Sequence, residues 1–218
     1  MPRMRVMYLH GFASSPHSTK AKTFAAHLAP YGITLETPDF NEPSFETLTI
    51  TRMIDQAENA IAGAPKAPLA LIGSSLGAFV AVHVAARQQA IDRLVLLAPA
   101  LDFAFNRMRE LGNEGIARWR STGLLEVFHY GFGRTVPLQF GLYEDAARYD
   151  AFALELTVPT LIFQGTRDTV VDPDVARRFA EGRSNVTLRL LDDDHQLLSC
   201  MSAIWAETRQ FLGLQAHS

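Results

Sequence analysis

Apolar residues along this chain gather into short continuous runs, separated by stretches with helical spacing. The runs predict strands at Met4–Leu9, Ile33–Thr37, Pro68–Ile72, Arg93–Leu97, Pro159–Gln164 and Val186–Leu190. Between them the spacing predicts helices at about His17–Ala29, Ser44–Ala62, Leu76–Gln89 and Pro173–Glu181, with a last one near Leu197–Leu212. Unbroken apolar strands such as Leu94-Val95-Leu96-Leu97 are what a sheet covered on both faces requires. Strand–helix alternation with right-handed crossovers gives a doubly wound, mostly parallel α/β sheet of six strands. No repeat and no low-complexity segment interrupts it.

One interval breaks the rhythm. Leu101 to Leu156 has no clear strand pattern, and its aromatics are scattered, among them Phe103, Phe105, Trp119, Phe128, Tyr130, Phe132, Phe140, Tyr143, Tyr149 and Phe152. A structureless loop of that length is foreign to a compact domain. The segment is therefore expected to be a small helical cap above the sheet, with helices at Met108–Ser121 and Glu144–Leu154. Gly131-Phe132-Gly133 and Val136-Pro137 read as turns between them. The aromatics serve either as the insert's own core or as the lining of an apolar pocket.

Composition narrows the field. With 218 residues the chain holds one well-buried core, so a single domain over 1–218 is expected, with 101–156 inserted in it. A net charge of −3 gives no electrostatic footprint for nucleic acid or an anionic membrane. The lone Cys200 cannot form an internal disulfide. No apolar stretch approaches the roughly 20 residues that span a bilayer, and the strand pattern at Met4 leaves no room for a signal peptide. The cytoplasm is the expected location. Oligomeric state is not legible.

The chemistry lies in Gly73-Ser74-Ser75-Leu76-Gly77, a G-x-S-x-G run between an apolar strand and a packed helical pattern. At such a turn the serine is forced onto strained backbone and its hydroxyl is lifted clear of the sheet. Glycines flank it because a Cβ there would meet the neighbouring strand or helix. A serine hydroxyl is a weak nucleophile and needs a base, which in turn needs an orienting acid.

The chain offers both in the order serine, acid, histidine, each just past a strand: Asp168 after Thr160–Gln164 and His195 after Val186–Leu190. Carboxyl ends of strands are where an open α/β sheet places its ligand crevice. Asp172 and Asp102 are rival acids, although Asp172 directly precedes Pro173 and reads as a helix N-cap. Asp168 also has the bland reading of an ion pair with Arg167. His83 falls in a packed helix and reads as structural, while His17, His27, His129 and His217 have no motif context and are expected in solvent. Asp192-Asp193-Asp194 reads as a solvated acidic loop. No second histidine or cysteine stands near it at metal-ligand spacing, so no metal is expected.

Acyl transfer also needs donors for the developing oxyanion. One is expected from the backbone N–H of Leu76, at a helix N-terminus. The other is expected from the loop after the first strand, Leu9-His10-Gly11-Phe12-Ala13-Ser14-Ser15-Pro16, with the Phe12 N–H as donor and Ala13 in reserve. His10 reads as a brace for this loop.

These pieces together resemble the α/β-hydrolase superfamily over nearly the whole chain. The opening Tyr8-Leu9-His10-Gly11-Phe12-Ala13-Ser14-Ser15-Pro16-His17-Ser18-Thr19-Lys20-Ala21 is similar to the first loop of small bacterial YqiA-like esterases. The resemblance implies a serine hydrolase of carboxylic esters or thioesters, with Ser75 as nucleophile, Asp168 as acid, His195 as base, and no cofactor. Two departures stand out: the superfamily's first two strands are absent, and the 101–156 insert is longer than the small esterases need. A peptidase or amidase could use the same residues. A non-catalytic small-molecule receptor could use the same scaffold. A nucleotide-binding loop is disfavoured, because Gly73–Gly77 lacks the lysine of a Walker loop and the spacing of a dinucleotide loop.

Overall fold

Each central strand is apolar at every position because alternate side chains enter two different helical layers. The computed structural model describes residues 4–215, and side chains for all of these except 106–110. Its main sheet is formed by β1 (Arg5–Leu9), β2 (Leu35–Glu36), β3 (Leu69–Ser74), β4 (Ile91–Leu97), β7 (Thr160–Gly165) and β8 (Val186–Leu191). The order is β2-β1-β3-β4-β7-β8, and every pairing is parallel. Val6, Tyr8, Ala70, Ile72, Val95, Leu97, Leu161 and Phe163 point to one face, where they pack with α1 (Thr19–Leu28) and α7 (Met201–Phe211). Met7, Leu9, Leu69, Leu71, Leu94, Leu96 and Ile162 point to the other, against α2 (Ile50–Ala62), α3 (Leu76–Arg87) and α6 (Pro173–Ala180). The central helix α3 is buried on every side from Leu76 to Ala85, which is why its sequence shows almost no polar face.

Helix starts follow the expected chemistry. Ser18, Thr49 and Asp172 each accept a backbone N–H into the first turn of α1, α2 and α6. The helix expected over Ser44–Ala62 is interrupted, because a short 3-10 turn at Phe45–Thr47 ends before Thr49 caps α2.

The 101–156 segment runs between β4 and β7. Where one helix was expected over Met108–Ser121, it contains a longer helical stretch, α4 (Phe103–Thr122), broken into two at Gly112, where φ is +65° and ψ 174°. It also holds a two-stranded antiparallel hairpin, β5 (Leu124–His129) and β6 (Arg134–Gln139), where no strand was expected. The Gly131-Phe132-Gly133 punctuation is the hairpin's turn rather than a helix–helix link. The second helix is shorter and earlier than the sequence pattern implied, α5 (Gly141–Ala146). The aromatics divide: Phe103, Trp119 and Phe140 are buried with the core, whereas Phe105, Phe128, Tyr130 and Phe132 are exposed. Trp119 Nε1–H donates to the Leu138 carbonyl at 3.0 Å and ties α4 to β6. Among the described residues no helix is long and apolar enough to cross a membrane.

Candidate functional site

Strain marks the carboxyl end of the sheet. Among the described residues, four that are not glycine have positive φ: Ala13, Ser75, Ala98 and Leu197. They lie in the loops after β1, β3, β4 and β8, so the least comfortable backbone is gathered in one place. Each such residue costs on the order of 1–3 kcal/mol and persists only where its surroundings over-determine it.

For Ser75, with φ +53° and ψ −118°, those surroundings are visible. Its N–H donates to the Leu97 carbonyl at 2.9 Å, and its carbonyl accepts from Ala78, Phe79 and Ala100. A Cβ on Gly73 would stand 2.5 Å from Ala78 Cα, and one on Gly77 would collide with the Leu9 carbonyl. The two glycines let β3, α3 and the β1 loop close on the turn, and Gly11 lets that loop approach Ser75 itself, since its Cβ would lie 3.2 Å from Ser75 Cβ. The Ser75 hydroxyl therefore has one direction to point, away from the sheet.

The side chain it meets there is His195. Nε2 of the ring lies 3.1 Å from Ser75 Oγ, and Nδ1 lies 2.8 Å from Asp168 Oδ2. For the serine hydroxyl to donate, Nε2 must be unprotonated, so Nδ1–H donates to the carboxylate. The Asp168 side chain is wholly buried. Its Oδ1 accepts the N–H groups of Val170 and Val171, each at 2.9 Å, and its Oδ2 also accepts from Gln164 Nε2 at 2.9 Å. Burial alone would raise this carboxyl, but the His195 hydrogen bond and charge, the Val171 N–H and Gln164 outweigh it and hold it below the usual carboxylate range.

Neither rival acid meets the ring. Asp172 caps α6 by accepting the Asp174 N–H, and Asp102 lies 4.0 Å from Arg178. Arg167 pairs with Asp192 at 2.8 Å instead of Asp168.

Other expectations need correction. Asp192 and Asp194 are exposed, but Asp193 is buried. Its carboxylate accepts the Asp194 and Cys200 N–H groups and so ties down the histidine loop instead of facing solvent. Of the histidines expected in solvent, His17 is exposed, His27 is half-buried and stacked on Trp205, and His129 is fully buried. His217 lies outside the described residues. His83 is buried and its Nδ1–H donates to the Phe79 carbonyl, while His10 donates from Nδ1–H to the Gly11 carbonyl and accepts the Phe40 N–H at Nε2. Among the described residues no group of three or more His, Cys, Asp or Glu could hold a metal ion.

Two neighbours of the site were not singled out from sequence. Gln164 is fully buried at the end of β7, where a polar residue closing an apolar strand was the available signal. Lys20 is buried on α1, and its Nζ donates to the Gln196 carbonyl at 3.1 Å, next to His195. Burial pushes this amine down from 10.5 to about 8, against the opposing pull of Asp168, Asp194 and Asp193. A lysine in the first turn of a helix, on its buried face, is the clue that pattern reading passes over.

A family model described as an uncharacterised protein family, UPF0227, matches residues 5–212. The chain belongs to that family. No curated protein matches this UPF0227 chain. Among solved structures, a candidate hydrolase from Agrobacterium vitis S4 aligns over 96% of the chain and 88% of its own, at 24% identity and a TM-score of 0.85. Est1E from Butyrivibrio proteoclasticus, with ferulic acid bound, aligns over 97% and 88%, at 18% identity and 0.81. The Pyrococcus furiosus esterase Pf2001 aligns over 98% and 84%, at 17% identity and 0.73. The likeness establishes that UPF0227 here has the α/β-hydrolase fold, with six strands in its main sheet.

Proposed function

We propose that the protein is a serine hydrolase cleaving a carboxylic ester or thioester of a small, apolar acyl substrate. The observation that carries this reading is the His195 ring, within hydrogen-bond reach of the Ser75 hydroxyl at 3.1 Å and the Asp168 carboxylate at 2.8 Å. Ser75 Oγ attacks the acyl carbon as its proton passes to His195 Nε2. Asp168 holds the imidazole in the tautomer that leaves Nε2 free and stabilises the imidazolium that forms. The imidazolium returns the proton to the leaving alcohol or thiol. A water then attacks the acyl-enzyme, giving its proton to the same nitrogen, and the carboxylic acid departs with Ser75 restored. These steps use only the chain's own residues and water.

The oxyanion is assigned to the backbone N–H groups of Leu76 and Phe12. Leu76 opens α3, so its N–H has no partner within the helix and the helix dipole favours negative charge there. The contact of Gly11 with Ser74 and Ser75 supports bringing the Phe12 backbone to the same side. Each donor contributes roughly 3 kcal/mol to the transition state. We read the chain as one domain in which 101–156 forms a cap over the site, and the esterases among the similar folds favour a small-molecule substrate.

A panel of chromogenic esters and thioesters graded by acyl length, run on wild type and Ser75→Ala, tests the reading. The variant is expected to fold and to lose all turnover, and a fluorophosphonate is expected to label Ser75 alone. Full turnover by a clean Ser75→Ala preparation would refute it.

A further inference from the structure

The loop after β1 does not hold its own shape. Ala13 sits at φ +52°, a conformation that alanine adopts only under outside constraint. The constraint comes from the hairpin. The Gly131 N–H at its turn reaches the Ala13 carbonyl at 3.4 Å. A side chain at Gly131 would be crowded: a Cβ would lie 3.0 Å from both His129 Cε1 and Ser15 Cβ and 3.2 Å from the Ser14 carbonyl carbon. Hairpin and loop are therefore in direct contact, backbone against backbone.

Beneath that contact lies His129, the last residue of β5, with no exposed surface. Its ring stacks on Phe132 at 3.8 Å and meets Phe45 edge-on at 4.6 Å. Both ring nitrogens are engaged. Nδ1 accepts the Phe132 N–H at 3.1 Å, so it carries no proton, and Nε2–H donates to Asn41 Oδ1 at 2.9 Å. The same Asn41 amide donates to the Ser14 carbonyl at 2.9 Å and to Asp39 Oδ1 at 2.8 Å. An unbroken row thus runs from the insert, through His129 and Asn41, to the loop that carries the Phe12 N–H. Burial lowers the pKa of this imidazole, with His10 and Arg134 adding to the effect and a backbone hydrogen bond and Asp39 opposing it. Every donor and acceptor in the row has one available direction, so it fixes the loop's place and not just its attachment.

We propose that His129 and Asn41 are positioning residues that set the oxyanion loop, so that the insert controls turnover through the backbone of residues 12–14. The proposal rests on the hydrolase reading above. A misplacement of about 1 Å in a reacting geometry costs on the order of 10²-fold in rate, while substrate binding elsewhere is untouched.

The test uses the full chain with the most active ester of the panel. His129→Leu and Asn41→Leu are each expected to lower kcat by about 10- to 100-fold with KM changed less than about threefold. The double variant is expected to be no worse than the poorer single, because each cuts the same row. His129→Gln is expected to recover most of the loss, since its amide can donate to Asn41 and accept from Phe132. Gly131→Ala, which presses on the His129 ring as well as on Ser14 and Ser15, is expected to lower kcat in the same way and serves if a leucine variant does not fold. Folded variants with wild-type kcat overturn the latch alone. So do additive losses that fall on KM and are not recovered by glutamine. A wild type without turnover and without Ser75 labelling overturns the hydrolase reading beneath it.

Discussion

Replacing Asp168 by asparagine changes one oxygen for an NH2 group in a pocket that holds only donors. Four of them face the carboxylate: His195 Nδ1 at 2.8 Å, and Gln164 Nε2, Val170 N and Val171 N at 2.9 Å each. If the new NH2 takes the Oδ1 side, it confronts two backbone N–H groups that cannot turn away, at about 1–3 kcal/mol for each one left unpaired. If it takes the Oδ2 side, the Gln164 amide can flip and offer Oε1, which has no partner among the described residues. The second placement wins. It leaves His195 facing an N–H donor, so the ring must turn its Nδ1 lone pair inward and carry its proton on Nε2. That proton then points at Ser75 Oγ, which loses its base. The wrong tautomer in a serine triad costs about 10⁴ in kcat, or about 5.5 kcal/mol of transition-state stabilisation. The assay is steady-state ester turnover of Asp168→Asn beside wild type, with circular dichroism to show that both are folded. A folded variant within about tenfold of the wild-type kcat would refute the tautomer argument. Stability gives a second reading. The folded Asp168 carboxyl titrates below its unfolded value, so its contribution is present above the ordinary carboxylate pKa and is lost as pH falls through the folded value. The difference in urea midpoint between wild type and Asp168→Asn should therefore shrink on acidification.

Lys20 makes the opposite kind of prediction. Its folded pKa of about 8 lies below the unfolded 10.5, so the native state holds fewer protons between them and wild-type stability rises with pH across that window. Lys20→Met should be the more stable protein at pH 7, by up to about 3 kcal/mol, with the advantage closing by about pH 10 in urea titrations. An advantage that is absent at pH 7 would show that the amine is not desolvated. Gly77→Ala drives a Cβ into the Leu9 carbonyl and has no side-chain end to yield, so loss of the cooperative thermal transition or a large fall in Tm is expected. A normal melt for that variant would mean that β1 and α3 do not close on the serine turn. Burial, reinforced by the neighbouring Asp193 carboxylate, pushes the Cys200 thiol up, so iodoacetamide at pH 8 should react with it more slowly than with a free thiol until the protein is unfolded. Equal rates in the folded and unfolded protein would contradict that.

The parts of this protein that sequence alone determined are those whose physics is local. The four central strands were legible because a strand buried on both faces must be largely apolar, and Leu94-Val95-Leu96-Leu97 can satisfy little else. The serine turn was legible because its five residues form one local motif, and Gly73 answers a steric demand set by Ala78 five residues on, although the demand on Gly77 comes from the distant Leu9 carbonyl. The Asp172 cap was legible for the same reason. The hairpin was not. Leu124–His129 pairs only with Arg134–Gln139 and carries Pro137 in its second strand, so its signal is weak until packing on Phe45 and Trp119 selects it. Tertiary structure alone decided which polar groups leave water. Nothing near His129 in the chain distinguishes it from the exposed His17, because its partner Asn41 lies 88 residues away. Lys20 is alike in this: its partner, the Gln196 carbonyl, is brought onto α1 by the histidine loop from 176 residues away. A residue's neighbours in the chain set the backbone it can adopt, but whether its charge or amide must find a partner depends on which distant segments exclude the solvent around it.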